Sequence, residues 1–119
     1  MDDFVINQTN LFIKRGDTKT YTLYFEDDDG ARLDITGWTV FLTVKINVDD
    51  LDSAAYIKKT ILSHTNPTNG ETQISLTSLD TADVGNYIYD IQYRSNVGAI
   101  KTVLEGFLVI AKDVTQRTS

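Results

Sequence analysis

The chain has 119 residues and a mass of 13.4 kDa, enough for one hydrophobic core and too little for two. It contains no cysteine, one histidine and 24% charged residues, and no apolar run near the roughly 20 residues of a membrane-spanning helix. Disulfide scaffolding, thiol chemistry and a helical membrane anchor are therefore excluded. A formal net charge of −6 with a pI of about 4.5 repels phosphate backbones, and cations stand side by side only as the pairs Lys14-Arg15 and Lys58-Lys59, so nucleic acid is not expected as a partner.

Val, Ile and Thr number 9, 11 and 16, so 36 of 119 residues are β-branched and favour pleated strands. Asp outnumbers Glu 14 to 3, and Asp competes for its own backbone in turns and caps rather than supporting helix interiors. Met1-Asp2-Asp3-Phe4 is acidic where a secretory signal is basic, which predicts folding in a cytoplasm. The initiator Met reads as the start of a complete small protein.

Period-two alternation marks the elements in order. Leu11-Phe12-Ile13-Lys14 is the first. Lys19 to Glu26 sets Tyr21, Leu23 and Phe25 on one face and Thr20, Thr22 and Tyr24 on the other, and Asp29-Gly30 predicts a hairpin turn after it. The clearest strand follows Gly37, with Trp38, Val40, Leu42, Val44 and Ile46 expected inward and Thr39, Phe41, Thr43 and Lys45 outward. An acidic loop over residues 47–53 precedes a strand with Ile57 and Ile61 on one face. Asn66-Pro67-Thr68-Asn69-Gly70 predicts a second hairpin leading to Ile74 and Leu76. Ser78 is expected to cap one helical turn through Asp83.

Asn86 to Arg94 alternates strictly, Tyr87, Tyr89, Ile91 and Tyr93 against Ile88, Asp90 and Gln92, and Ser95-Asn96-Val97-Gly98 makes a third turn. In the last strand, Ala99 to Ala111, Ile100, Leu104, Leu108 and Ile110 are expected on one face and Val103, Phe107 and Val109 on the other. Such spacing, without a helical pattern of 10 residues or more, predicts an all-β antiparallel sandwich of about seven strands, with a closed barrel as the structural alternative. One domain spans residues 1–119, with a flexible tail at 112–119.

Catalytic constellations are missing. The sole imidazole, His64, lies in a turn-rich loop with no thiol in the chain, and the acids sit in turns rather than on opposed strands. No enzymatic activity is expected. Alternating loops should gather Asp17, Asp49, Asp50, Asp52, Asp80 and Asp83 at one end, a calcium-like density of oxygens without a calcium-loop sequence, and no metal or cofactor is assigned. Arg15-Gly16-Asp17 spells an adhesion tripeptide but reads as a connecting turn, and Asn7-Gln8-Thr9 matches a glycosylation acceptor with no signal peptide before it.

The last strand is apolar on both faces. Either the N-terminal Phe4-Val5-Ile6 covers its outer side or a protein partner does, and Phe41, Val103, Phe107 and Val109 are the candidate interface residues.

Asp83-Val84-Gly85-Asn86-Tyr87-Ile88-Tyr89 resembles the Asp-x-Gly-x-Tyr-x-Cys run of immunoglobulin domains, in which the Tyr hydroxyl bonds back to the chain. Tyr89 stands at the cysteine position, and Trp38 could serve as the buried tryptophan. The predicted architecture is therefore immunoglobulin-like. Gly16, Gly30, Gly37, Gly70 and Gly85 are expected at positive φ, and Asp34 with Thr36 should bond local backbone.

Taken in order, Ile13-Lys14-Arg15-Gly16-Asp17-Thr18, Tyr24-Phe25-Glu26-Asp27-Asp28-Asp29-Gly30, Leu33-Asp34-Ile35-Thr36-Gly37-Trp38-Thr39-Val40, Asp80-Thr81, Gly85-Asn86-Tyr87-Ile88-Tyr89-Asp90-Ile91-Gln92 and Asp113-Val114-Thr115 resemble small structural proteins of tailed bacteriophages and prophages. The chain is similar in particular to the N-terminal domain of the baseplate upper protein family. The resemblance implies a non-enzymatic virion protein of the tail, baseplate or neck, made in the bacterial host cytoplasm and carried into the virion. Its expected partners are other virion proteins, as a homo-oligomer or hetero-complex, with no nucleic acid and no membrane. The alternative is a carbohydrate-binding module for the host surface, for which Tyr24, Tyr56 and Phe41 are the candidate aromatics.

Overall fold

The computed structural model describes residues 4–5, 10–47 and 49–114, without the side chains of Phe4, Val5 and Asp52. Its strands are β1 (Phe4–Val5), β2 (Leu11–Lys14), β3 (Lys19–Phe25), β4 (Thr39–Lys45), β5 (Ile57–Ile61), β6 (Glu71–Leu76), β7 (Gly85–Arg94) and β8 (Ile100–Ala111), with 3-10 turns at Asp52–Ala54 and Pro67–Asn69. They form two sheets, β1-β3-β6 and β2-β8-β7-β4-β5. Pairing is antiparallel except between β2 and β8, which run parallel from Leu11 opposite Leu108 to Lys14 opposite Ala111.

The two inner faces make the core. Leu23, Phe25, Ile74 and Leu76 project from the smaller sheet onto Val40, Leu42, Val44, Tyr87, Tyr89, Ile91, Leu108 and Ile110 of the larger, and all are buried. Alternation decides which residues these are, because a strand lying between core and solvent buries every second side chain. At one end Trp38 stacks on Tyr93 with centroids 4.4 Å apart, and Phe25 meets both rings edge-on at 5.8 and 5.9 Å. At the other, Tyr56 stacks on Tyr87 at 4.6 Å. The Tyr87 hydroxyl donates to the Asp83 carbonyl at 2.9 Å, the corner anticipated from the sequence. The fold is an immunoglobulin-like β-sandwich.

Several local expectations change. Asn66 to Gly70 does turn tightly, Asn66 and Glu71 exchanging backbone hydrogen bonds at 3.1 and 3.0 Å in an antiparallel bridge. It joins no hairpin of neighbouring strands, because β5 pairs with β4 and β6 with β3, so this segment crosses between sheets. Pro67 opens a 3-10 turn, and Gly70, at φ +68, passes so close to the backbone that a Cβ would lie 2.7 Å from the Phe25 carbonyl and 2.8 Å from that of Leu33. The Gly70 carbonyl accepts from the Phe25 amide, which turns the chain onto β3 instead of back onto β5. Asp29-Gly30 does turn tightly, closing a bridge between Glu26 and Arg32, but the chain then crosses to β4 in the larger sheet.

Ile46 is 64% exposed because β4 ends at Lys45 and the Asn47–Asp50 turn begins, the Asn47 amide donating to the Asp50 carboxylate. Ile100 also faces outward. Ile91 sits opposite Leu104 but Gln92 opposite Thr102, so Val103 is the extra residue of a β-bulge and the faces of β8 exchange beyond it. Gly85 is absent from the positive-φ glycines, whereas Gly98 is among them. What Gly85 provides is room, since a Cβ there would come within 3.1 Å of the Tyr87 ring. Thr77, not Ser78, caps the turn before β7, exchanging hydrogen bonds with Asp80.

Candidate functional site

The two outer faces differ in chemistry. On the smaller sheet the outward residues are hydroxyls and amides that bond one another, Thr20 with Ser75 at 3.0 Å and Gln73 to Thr22 at 3.3 Å, while Arg32 lies 4.1 Å over the Tyr24 ring. On the larger sheet, Phe12 is 70% and Phe107 56% exposed. Val109 is cross-strand to Phe12 and Phe107 to Ile88, so four apolar side chains share one end of β2, β8 and β7. The Phe107 amide donates to the Asn10 side chain at 3.1 Å, which fixes the backbone beneath the exposed ring.

Phe107 and Val109 thus lie on this face, and so does Phe41, half-buried with the Arg94 guanidinium 6.0 Å from its ring. Val103 does not join them. The bulge turns it toward the sandwich interior, where it packs half-buried against the core. Sequence reading missed Phe12, whose exposure follows from the parallel pairing of β2 with β8. No short-range signal specifies that pairing. Phe4–Val5 pairs with β3 in the opposite sheet and so does not cover β8; Ile6 lies outside the described residues.

Beside the stripe, the same face carries a hollow of about 410 Å³ lined by Thr43, Lys45, Ile88, Asp90, Glu105 and Phe107 among others. Charge is distributed unevenly across it. Two acids depart from the expectation that they sit in turns, since Glu105 sits opposite Asp90 on paired strands. Asp90 in turn is opposite Thr43 and Thr43 opposite Lys58, so one row runs from acids on β8 and β7 to a lysine on edge strand β5.

The other candidate residues serve the fold. His64 Nε2 donates to the Trp38 carbonyl at 2.8 Å, and Nδ1 meets the Thr72 hydroxyl at 2.8 Å, so both ring nitrogens tie the β5–β6 crossing to its neighbours. Arg15 pairs with Asp113 at 2.8 Å and the Gly16 amide donates to Thr81, which fixes Arg15 and Gly16 as a half-buried connecting turn, with Asp17 exposed beside them. Asp113, at the start of the expected tail, is anchored by that pair; residues 115–119 and Asn7-Gln8-Thr9 lie outside the described residues.

Asp34 accepts both the amide and hydroxyl of Thr36 at 2.9 and 2.6 Å, as anticipated, and these bonds hold its carboxyl below the usual range. Among the described residues no three His, Cys, Asp or Glu side chains are grouped to hold a metal ion. Tyr24, Tyr56 and Phe41 lie on three separate surfaces, on the smaller sheet's outer face, against Tyr87, and on the larger sheet's outer face. They form no shared groove.

No protein-family model and no curated protein sequence matches this chain. Solved structures do share the fold. The N-terminal domain of phage TP901-1 ORF48 superposes with a TM-score of 0.57 at 10% identity, covering 86% of this chain and 84% of that one. The PmoD soluble domain from Methylocystis sp. gives 0.51 at 10% identity over 87% and 78%. An Ig-like domain of mouse leukocyte-associated immunoglobulin-like receptor 1, solved as a strand-swapped dimer, gives 0.51 at 17% identity over 91% and 94%. At such identities the likeness defines the fold and leaves function to the surface.

Proposed function

We propose that this protein is a non-enzymatic structural or adaptor component of a bacteriophage virion, in tail, baseplate or neck, acting through protein-protein assembly. It is made in the host cytoplasm and carried into the particle. The observation that carries the reading is the apolar stripe of exposed Phe12 and Phe107 with half-buried Val109 and Ile88 on one sheet face, set against a self-bonded polar face on the other. Burying such a stripe is worth about 25 cal/mol per Å², a gain available only through a partner. The likeness to a domain of a phage protein supports the choice of setting.

The test is light-scattering mass determination on the purified protein, alone and mixed with virion proteins encoded beside it. A defined complex lost in Phe107→Asp, with the melting temperature retained, is the expected result. A monomer that ignores every virion partner would overturn the reading and make a glycan screen the next experiment.

A further inference from the structure

The charged row on the larger sheet is complementary to itself. Glu105 stands on β8 and Lys58 on edge strand β5, both exposed, at the two ends of one cross-strand row through Asp90 and Thr43. Among the described residues neither Glu105 nor Lys58 has an ion-pair partner within the chain. Strands lie about 4.8 Å apart, so these charges are three spacings apart, about 14 Å, too far to meet on their own sheet.

We propose that the occupant of this face is a second copy of the chain. A two-fold axis parallel to the strands, between β7 and β4, brings Glu105 of each copy over Lys58 of the other, and each contact occurs twice because the interface is isologous. The same rotation places Ile88 over Lys45 at the margin of the hollow and Gln92 over Phe41 in the next row. Two sheets stacked face to face cross at about 30°, which displaces the ends of strands most. Glu105 and Lys58 lie in a middle row, where the displacement is small. Matched charges fix the register of such a contact and disfavour others, while Ile88, Phe107 and the stem of Lys45 supply apolar area. This inference rests on the assembly reading and names the partner for the β8-β7-β4-β5 part of the face, Phe12 on β2 lying outside the overlap.

Sedimentation equilibrium of the purified protein over a range of concentrations tests it, with melting curves as the check on folding. The wild type should dimerise, more weakly as salt rises. Glu105→Lys and Lys58→Glu should each raise the dimer dissociation constant about tenfold, and the double exchange should recover most of the loss. A wild type that stays monomeric, or a double exchange no tighter than the single variants, overturns the proposal. If the monomer still forms a complex with a neighbouring virion protein that Phe107→Asp abolishes, self-pairing alone has failed and the assembly reading stands. If no complex forms either, both fall.

Discussion

Lys59 and Asp80 meet at 2.7 Å, joining the inner side of edge strand β5 to the turn between β6 and β7. Lys59 is cross-strand to the buried Leu42, so its half-buried stem leaves from the core side of the sheet and carries the ammonium to Asp80. A charge in that position discourages another strand from pairing at the edge. Burial alone would raise the Asp80 carboxyl, but Lys59 and the Thr77 amide outweigh it and hold the group below its usual range. Asp80→Asn should lose the ion pair and weaken the turn's cap, costing about 1 kcal/mol in urea unfolding. Because the folded carboxyl is depressed, its stabilisation is present above the unfolded value and disappears as pH falls through the folded one. The gap between wild type and Asp80→Asn should therefore narrow in acid.

Alkaline titration runs the other way. Burial, and then the neighbouring Tyr56, pushes the Tyr87 phenol to about 12, and burial with Tyr21 does the same for Tyr89. Between pH 10 and 12 the unfolded chain gives up protons that the folded one retains, so stability falls with rising pH across that window. Tyr87→Phe should flatten part of this slope. At neutral pH it should cost about 1 kcal/mol through loss of the bond to Asp83, read by urea unfolding with absorbance titration alongside.

His64→Ala removes two hydrogen bonds at once and leaves the Trp38 carbonyl without this donor. A loss of about 2 kcal/mol is expected, with a shift in tryptophan fluorescence, since Trp38 is anchored from this side. His64→Gln should restore some of it.

Phe107→Asp and Val103→Asp separate surface from core. Phe107 is more than half exposed and Val103 packs on the core, so the first should change the melting temperature little while reducing association. The second buries a carboxylate and should destabilise the fold by several kcal/mol, about 3 or more. Equal melting temperatures for the two would contradict the placement of the bulge.

What the sequence made legible was periodic. Every inward residue of β7 and the pairs Leu23–Phe25 and Ile74–Leu76 follow from alternation, and the Tyr87 corner follows from a short local motif. What it concealed depends on contacts between distant segments. The bulge that carries Val103 inward and Ile100 outward is a register decision between β7 and β8, and nothing in β8 alone marks it. Asn66 to Gly70 has hairpin chemistry, yet the Gly70 carbonyl finds Phe25 and the chain changes sheet. Of the candidate face, Phe107, Val109 and Phe41 could be read from one strand each. Phe12 needed the parallel pairing of two chain ends almost a hundred residues apart.

That parallel pairing also has a mechanical side. β2 and β8 lie alongside each other in the same direction, joined from Leu11–Leu108 to Lys14–Ala111, with the Arg15 amide on the Ala111 carbonyl at 2.7 Å and Arg15 on Asp113 beyond it. Tension applied between the segment before Leu11 and the segment after Asp113 drags the two strands past each other lengthwise. The interstrand bonds are then loaded together in shear rather than opened one by one like a zipper. A domain strung into a larger assembly by its two ends would present its most force-resistant geometry to the pull.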